Sequence, residues 1–411
     1  MKQLKGKYLI IVIALCGMIC GGPGLLINSA GVYFNPIAAE LGIGRGAVSF
    51  AQTLANVGFA LGSLFAARVL KPENFRRLIA VALAVYACAT ASLALAGSLP
   101  ALYAINCVRG LSAGLVGMVM ITTTLNNWFY GSAGVVTSIV MGSCGIMAAV
   151  FSPLLTRAIS AFGWRFAYVV NACLVAALFL PALLLRITYT PGEIGLKALG
   201  SPAEDICPAG AEKSPQIGEK GPSAGKQIDG SIFAICLCIS FLCAFTIAYP
   251  AHFPGLADSY GLGAAVGAAM LSVTMVMNTL GKLIYGAMVD RIGNRISMTI
   301  WFAAMFVGVI LLLFVRSAPL LYVCAGFFGL GYTFTSLSNI ILYKDLFGVE
   351  NYSKVYPKLS LVGTLSNALV TSLVGFIYDA TKSYAVALLL LACVLVLTCS
   401  LVLKAYKKAG V

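Results

Sequence analysis

Two basic side chains lie inside long apolar runs of this chain, where a charge needs a specific reason. Lys282 stands in "NTLGKLIYGAMVDRIGNR" (278–295), about 12 Å before Asp290 if the run is an α-helix that rises 1.5 Å per residue. Arg109 stands about 13 Å inside another apolar run. A cation at such depth in an apolar medium costs several kcal/mol unless it meets a partner or water. Both residues are therefore candidates for binding an anion.

Lys282 has a competing interpretation, in which its long apolar stem lets the ammonium reach the nearer membrane surface. Helical side chains lean toward the N-terminus of their helix, which here points Lys282 away from that surface. Contact with an anionic substrate is the favoured interpretation. Asn278, one helical turn earlier, lies on the same face and can share such a site.

His252 is the only histidine of the chain and lies in "YPAHFPG" (249–255). Pro250 and Pro254 bend a helix and expose its backbone, which a membrane protein tolerates at a cavity. A histidine can titrate near neutral pH, so His252 is a candidate for substrate or proton binding. The alternative, a packed residue without a role in binding, stays open. For Arg109, a structural role also stays open beside substrate binding or coupling.

The remaining residue types argue against an enzyme or a metal site. All 13 Asp and Glu residues lie in loops or at helix ends of the predicted arrangement, so no buried carboxylate is expected. Twelve of the 13 Cys residues fall inside predicted helices, where they are typical small apolar residues, and only Cys207 lies in a loop. Without paired carboxylates, clustered ligands or an activated nucleophile, we expect no catalysis and no cofactor or metal.

The elements that position these residues must be membrane helices. The chain is 60% hydrophobic and 10% charged, with a mean hydropathy of +0.97. Its apolar runs repeatedly reach the roughly 20 residues that cross a bilayer, and they are too long for barrel strands. Helices are predicted at 8–30, 46–67, 78–97, 101–124, 133–156, 165–186, 231–256, 263–289, 297–315, 318–342, 355–377 and 383–403.

Lys and Arg residues predict the orientation. Placing both termini and the even-numbered loops in the cytoplasm puts most of the 27 basic residues there. Only a few remain for the opposite side, namely Arg45, Arg157, Arg165, Arg316 and Lys382. The formal charge of +14 then reflects this bias, and no basic stripe with interleaved aromatics indicates nucleic-acid binding.

An internal repeat divides the chain into two halves. An offset of 219 residues, as from Gly110 to Gly329, also superposes "YFNPIAAELGI" (33–43) on "HFPGLADSYGL" (252–262). The predicted fold is an all-α membrane protein with twelve transmembrane helices in two pseudo-symmetric six-helix bundles. The first bundle spans 1–186 and the second 231–411. A Pro-, Gly- and charge-rich segment, 187–230, is expected to be a mobile cytoplasmic linker. This plan is typical of secondary transporters, whose substrate site lies between two bundles.

Several motifs make the chain resemble a major facilitator superfamily transporter. "GKLIYGAMVDRIGNR" (281–295) is similar to the signature between the superfamily's eighth and ninth helices, and "RGLSAG" (109–114) resembles its fourth-helix motif. At the branch level, "GWRFAY" (163–168), "PGEIGLKALG" (191–200), "FGVENYSKVY" (347–356) and "GFIYDATKSYAVAL" (375–388) resemble the monocarboxylate transporter and oxalate/formate antiporter branch.

The resemblance implies substrate-binding roles. Lys282 matches a substrate-binding arginine of the branch, and Asn278 matches an acidic or amide residue one turn before it. Asn28 matches a lysine of animal members. Bacterial relatives can place a histidine at the cavity position of His252, and Arg109 matches an arginine that ties helices together or takes part in gating. A lysine in place of the arginine offers a compact ammonium rather than a bidentate fork.

Two further sets of residues complete the candidate site. Tyr332 in "GYTFTSLSN" (331–339) can donate a hydrogen bond into the cavity or between helices. Asp290, Arg291 and Arg295 lie at the predicted cytoplasmic mouth, and the resemblance implies that they form a gating latch. The alternative is that these charges only follow the positive-inside bias.

These observations predict a secondary active transporter of a small organic anion, most simply a monocarboxylate such as lactate or pyruvate, with proton symport or anion exchange. An oxalate/formate-type dicarboxylate exchanger, a drug or metabolite exporter of the same fold, and a transporter-like sensor are the alternatives. We expect a monomer in the inner or plasma membrane with both termini in the cytoplasm. The expected partners are the anion, the bilayer, and protons or a counter-anion.

Overall fold

Helices account for nearly all of the secondary structure. The structure, a computed structural model, describes residues 2–130, 133–185, 187–200, 229–335 and 337–410. In this part of the chain, a single bridge between extended residues joins Phe129 to Leu199. The helices of the first half are α1 (Lys2–Ile19), α2 (Gly31–Leu41), α3 (Arg45–Val69), α4 (Phe75–Ser92), α5 (Leu99–Leu115), α6 (Met118–Trp128) and α7 (Ala133–Leu184). Those of the second half are α8 (Gly230–Ala248), α9 (Phe253–Ser259), α10 (Ala264–Ile292), α11 (Asn294–Phe314), α12 (Ala318–Tyr332), α13 (Leu337–Thr381) and α14 (Ala385–Ala409).

Short irregular helices connect some of these elements. A π-helix, Cys20–Asn28, follows α1. Turns of 3₁₀-helix cover Pro72–Asn74, Leu93–Leu95, Pro191–Ile194, Tyr249–His252 and Thr333–Thr335. Several membrane crossings are therefore composite, because the chain changes its helical pitch inside them.

The helices provide twelve membrane crossings. Among the described residues, 11 helical stretches are long and apolar enough to cross a membrane, and Ile139–Leu184 is 46 residues long. At 1.5 Å per residue this stretch is about twice the thickness of a bilayer core. It reverses at Gly163, whose φ of 85° and ψ of 164° are not helical. Counting its two parts separately gives twelve, and the predicted fold class is confirmed.

The same offset of 219 residues that relates the two halves in sequence also relates their contacts. Gly110 of α5 lies against the carbonyl of Ala55, and Gly329 of α12 lies against the carbonyl of Thr274. Neither glycine has room for a Cβ atom. The offset also relates the contact of Gly62 with Leu111 to that of Gly281 with Leu330, and the left-handed Gly42 to Gly261. Each half has its own hydrophobic core, so the chain forms two pseudo-symmetric bundles.

Both chain ends lie at one face of the molecule, called the terminal face below. Asp229, before α8, pairs with Lys408 near the end of α14 at 3.8 Å. Its carboxylate accepts a hydrogen bond from the backbone N–H of Ser231, which lowers the pKa of Asp229. At the same face, the Tyr8 hydroxyl donates to the Lys197 carbonyl at 2.7 Å. The opposite side is called the distal face.

Residues 187–200 pack on the first bundle, although the sequence predicts a linker that starts at 187. The Trp128 indole N–H donates to the Thr188 carbonyl at 3.0 Å. The backbone N–H of Leu199 donates to the Trp128 carbonyl at 2.9 Å, and that of Tyr130 donates to the Leu199 carbonyl at 2.8 Å. These residues therefore extend the first bundle. Residues 201–228, including Cys207, lie outside the described residues, and for them the linker stays a prediction.

Candidate functional site

A small cavity, with about 20 Å³ of water-accessible space, lies between the two bundles. Its polar lining comes from Asn28, Gln52 and Asn56 of the first bundle and from Tyr332, Asn367 and Thr371 of the second. Two predicted substrate-binding residues, Asn28 and Tyr332, thus line one cavity. The other four polar residues were not predicted. Their signal in the sequence is an amide or hydroxyl inside an apolar run, which is expensive in a membrane unless it is paired or faces a cavity.

The amides of this cavity are only partly satisfied. The Gln52 amide donates to the Leu26 carbonyl at 3.0 Å and to the Asn56 side chain at 3.1 Å. The side-chain oxygen of Asn367 is buried and has no hydrogen-bond partner. A buried polar atom without a partner costs about 1–3 kcal/mol, so the cavity can bind a ligand or water that satisfies it.

Lys282 lies on α10, half-buried, near Cys144 of the first bundle, and it is not among the residues that line this cavity. Its ammonium interacts electrostatically with the Cys144 thiol of α7. It makes no ion pair with any described residue. Cys144 in turn accepts a hydrogen bond from the Asn28 amide at 3.6 Å. The structure thus brings Lys282 and Asn28 to the same thiol, which the sequence analysis did not single out.

Asn278 is buried, and both of its oxygen atoms lie near the hydroxyl of Thr333. The Thr333 hydroxyl donates to the Asn278 carbonyl at 3.3 Å and lies 3.4 Å from its side-chain oxygen. Thr333 follows Tyr332 at the end of α12, so this contact joins α10 to the element that carries the cavity tyrosine. Asn278 does not line the cavity itself.

His252 is 2% exposed and lies between the cavity and the distal face. Its Nε2 atom is 2.9 Å from the Thr371 carbonyl. Its ring lies 5.6 Å from that of Phe34 and 6.2 Å from that of Tyr384. Pro250, Ala251 and Thr371 line the cavity, whereas His252 lies behind them.

Arg109 is 2% exposed and lies inside the first bundle rather than at the central cavity. Its Nη1 atom donates to the Asn106 side chain at a long 3.4 Å, and its Nε atom has no partner. Arg109 and Lys282 therefore do not share the central cavity.

The bundles close against each other toward the distal face. The Arg45 guanidinium lies 3.5 Å from the Asp258 carboxylate and 4.0 Å from the centre of the Tyr378 ring. Gly31 of α2 meets the carbonyl of Ala251 with no room for a Cβ atom. Every hydrogen bond that joins the two bundles among the described residues lies in this half of the spans.

One of these contacts caps a helix across the interface. The backbone N–H groups of Arg45 and Gly46, in the first turn of α3, donate to the Asp379 carboxylate of α13 at 2.9 and 2.7 Å. The first N–H groups of a helix have no partner within it and favour negative charge. Asp379 supplies both from the other bundle. From the sequence alone, Arg45, Asp258 and Asp379 are only charged residues in loops or at helix ends.

The predicted gating residues lie at the terminal face. Asp290, Arg291 and Arg295 are exposed and make no ion pair among the described residues. Between them, Asn294 is buried and donates to Asp345 at 3.2 Å and to the Tyr406 hydroxyl at 2.7 Å. Among the described residues, no hydrogen bond or ion pair joins the two bundles at this face. The latch role of the three charges stays a prediction.

Known proteins resemble this chain in part of its sequence and in its fold. The sequence family described as Major Facilitator Superfamily matches residues 233–409, which is the second bundle. No curated protein matches the chain. Several solved structures are similar over nearly the whole chain at low identity.

The nucleoside transporter NupG, in a mutant form, has a TM-score of 0.73 at 13% identity and covers 97% of this chain and 100% of its own. The inward-open xylose transporter XylE from E. coli has a TM-score of 0.71 at 12% identity, covering 97% and 95%. A bacterial homolog of the human lysosomal transporter Spinster has a TM-score of 0.70 at 12% identity, and the match covers 97% of this chain and 96% of its own. These likenesses show that the chain has the major facilitator fold. The resemblance to the monocarboxylate and oxalate/formate branch is not confirmed by them.

Proposed function

We propose that the protein is a secondary active transporter of a small organic anion, with a monocarboxylate such as lactate or pyruvate as the first candidate. The two bundles would rock about a central site that opens alternately to each face. One observation carries the proposal: Lys282 is a cation within a membrane span, linked through Cys144 to the cavity-lining Asn28, with no acid paired to it among the described residues.

The chemistry of the cavity suits an anion better than a cation. An ammonium without a counter-charge in a poorly hydrated site attracts a carboxylate strongly. The amides of Asn28 and Gln52 and the Tyr332 hydroxyl supply hydrogen-bonding groups in the cavity, and Asn28 is linked to Lys282 through Cys144. A carrier of cations would need an acid there, and none of the described Asp and Glu residues is buried. A drug or metabolite exporter therefore has less support, although the fold would allow one.

The absence of a buried acid among the described residues also bears on coupling. A carboxylate cannot relay protons through this part of the membrane, so proton symport would use His252, Lys282 or the substrate's own carboxyl group. Exchange of one anion for another needs none of these. Both modes remain within the proposal, and the uptake experiment below separates them.

A dicarboxylate exchanger of the oxalate/formate type has less support. Two cations bracketing one substrate would need to face one cavity, and Arg109 lies within the first bundle, away from the lining of the central cavity. A single ammonium is sufficient for one carboxylate. A transporter-like sensor would bind the same ligand through the same residues and differs only in that it would not accumulate the ligand.

The gating roles belong to the same proposal. Asp290, Arg291 and Arg295 are unpaired while the distal face is closed, and we propose that they engage the first bundle when the terminal face closes. The membrane would be the inner or plasma membrane, with the terminal face in the cytoplasm.

The experiment that tests the proposal is uptake of labelled lactate, pyruvate, formate and oxalate into proteoliposomes. Each acid is tested with and without an imposed proton gradient, and with and without the same anion inside. We expect saturable uptake of a monocarboxylate by the parent protein. Stimulation by the proton gradient indicates symport, and stimulation by internal anion indicates exchange.

The matched variants are Lys282→Gln and Lys404→Gln, because Lys404 is an exposed lysine near the end of α14. Lys282→Gln should reduce uptake at least tenfold, since it removes the charge that holds the carboxylate, while Lys404→Gln should transport normally. Full uptake by Lys282→Gln, or no uptake of any acid by the parent protein, would refute the proposal.

A further inference from the structure

Arg109 is a buried charge that the central site does not use. It is 2% exposed in the middle of α5, and its side-chain partners are Asn106, at a long 3.4 Å, and the Tyr86 hydroxyl. Its Nε atom has no partner at all. A guanidinium has five N–H donors, and leaving them unsatisfied in a buried site is expensive.

No acid compensates this charge among the described residues. Glu40, the acid of α2, is exposed and is paired with Arg165 and with the Trp164 indole. Around Arg109 the described neighbours are aromatic instead: the rings of Tyr86 and Tyr168 each lie 5.9 Å from its Cζ atom. Cation–π contacts of this length compensate only a small part of the cost of burying a cation.

A second small cavity, of about 20 Å³ of water-accessible space, lies within the first bundle, and Arg109 stands behind its wall rather than in its lining. Asn106 and Tyr168, which both contact Arg109, form part of its wall, together with Tyr33 and Gln52. Gln52 also lines the central cavity, so the two cavities share a wall. The Tyr168 hydroxyl makes no hydrogen bond with any described residue and is available as a donor.

We propose that this second cavity, called the Arg109 cavity here, binds a small monovalent anion, either a halide or a short carboxylate. Arg109 supplies the charge, and the Tyr168 hydroxyl donates a hydrogen bond to the anion. The site is distinct from the one at Lys282 and goes beyond the proposed function, because it requires only the first bundle and not the transport of any particular substrate.

The test is the thermal unfolding of the purified full-length protein in detergent at constant ionic strength. One arm replaces sodium gluconate with sodium chloride, and another replaces it with sodium formate, since gluconate is too large for this cavity. An anion that binds the folded state raises the midpoint of unfolding by a few degrees in a saturable manner. Both arms are measured in Lys282→Gln, so that the site proposed at Lys282 cannot contribute. We expect the rise in this variant, and its loss when Arg109→Gln is added. A rise with chloride identifies an inorganic anion as a ligand, and a rise with formate alone identifies a carboxylate.

A second variant keeps the test decisive if Arg109→Gln does not fold. Tyr168→Phe keeps the ring that stacks on Tyr33 at 4.0 Å but removes the hydroxyl. We expect the anion concentration at half-saturation to rise about tenfold in Tyr168→Phe, as for the loss of a hydrogen bond to a charged group. The proposal is overturned if neither anion changes the unfolding midpoint of Lys282→Gln, or if the shift survives when Arg109→Gln is added.

Discussion

The chemistry around Lys282 depends on an uncharged neighbour. Cys144 of α7 interacts with the Lys282 ammonium and accepts a hydrogen bond from Asn28. A thiol leaves the positive charge of Lys282 uncompensated, whereas an acid at the same position would neutralise it. The cation is thus held between the bundles in a form that can still bind an added anion.

Thiol labelling tests this arrangement at the residue scale. In a variant that keeps Cys144 as its only cysteine, we expect an anionic methanethiosulfonate reagent to react about tenfold faster than a neutral one, because Lys282 concentrates anions at the thiol. The measured quantity is the rate of labelling by mass spectrometry. The transported anion should slow it.

The matched control is the same single-cysteine variant with Lys282→Gln, which should show no preference for the anionic reagent. Equal rates for both reagents at Cys144, or an unchanged preference after Lys282→Gln, would contradict the arrangement.

At the scale of the elements, the distal closure depends on the start of α3. Asp379 of α13 caps the first turn of α3 from the other bundle, at 2.9 and 2.7 Å. A hydrogen bond to a charged group contributes about 1.5–3 kcal/mol, and each 1.4 kcal/mol changes a population ratio tenfold. A single carboxylate can therefore set much of the balance between the two conformations.

We expect Asp379→Asn to shift the protein toward a conformation that is open at the distal face, by about tenfold in population. The measurement is double electron–electron resonance between spin labels on the distal ends of α3 and α13, where a longer distance should gain weight. Glu40→Gln is the control, since Glu40 lies at the same face but pairs with Trp164 and Arg165 of its own bundle. An equal change in both variants, or no change in Asp379→Asn, would show that Asp379 does not stabilise the distal closure.

The first membrane crossing shows where element prediction from sequence ends. A continuous helix is predicted over 8–30, but the structure has a π-helix over Cys20–Asn28 and a second helix from Gly31. Pro23 lacks the N–H that an α-helix needs, and the glycines beside it have low helix propensity. This irregular pitch determines where Asn28 points, which no apolar pattern could predict.

For the whole molecule, the bias of Lys and Arg residues predicts that the terminal face is cytoplasmic. We expect green fluorescent protein fused after residue 411 to be fluorescent in cells, and alkaline phosphatase fused at the same point to be inactive, because the phosphatase folds only outside the cytoplasm. A fusion within the distal turn at Lys382 should give the reverse pattern. Reversal of the two results would refute the orientation and, with it, the proposed cytoplasmic position of the latch.

The number of crossings and the two-bundle plan could be predicted because both depend on local patterns: the lengths of apolar runs and a repeat such as Gly110 with Gly329. In the cavity lining, the sequence predicted Asn28 and Tyr332, whereas Lys282 and His252 are unusual for their surroundings but do not line the cavity. The roles of Gln52, Cys144 and Asp379 depend on how two bundles far apart in sequence are rotated and packed. A single sequence does not carry that information.

Glycines make the tightest contacts of the distal closure, and this affects how fast the closure can form. Gly31 meets a carbonyl directly, while Gly44 and Gly46 lie against Asp379 and Phe376. Ordering a long side chain costs up to about 2 kcal/mol of rotamer entropy, and a glycine has no rotamers to order. The two surfaces can separate and rejoin many times without a search through side-chain conformations at these points. In the proposed transport cycle, the polar contacts at the distal face would then limit the rate of opening, and this rate would be sensitive to salt and to the charge of Asp379.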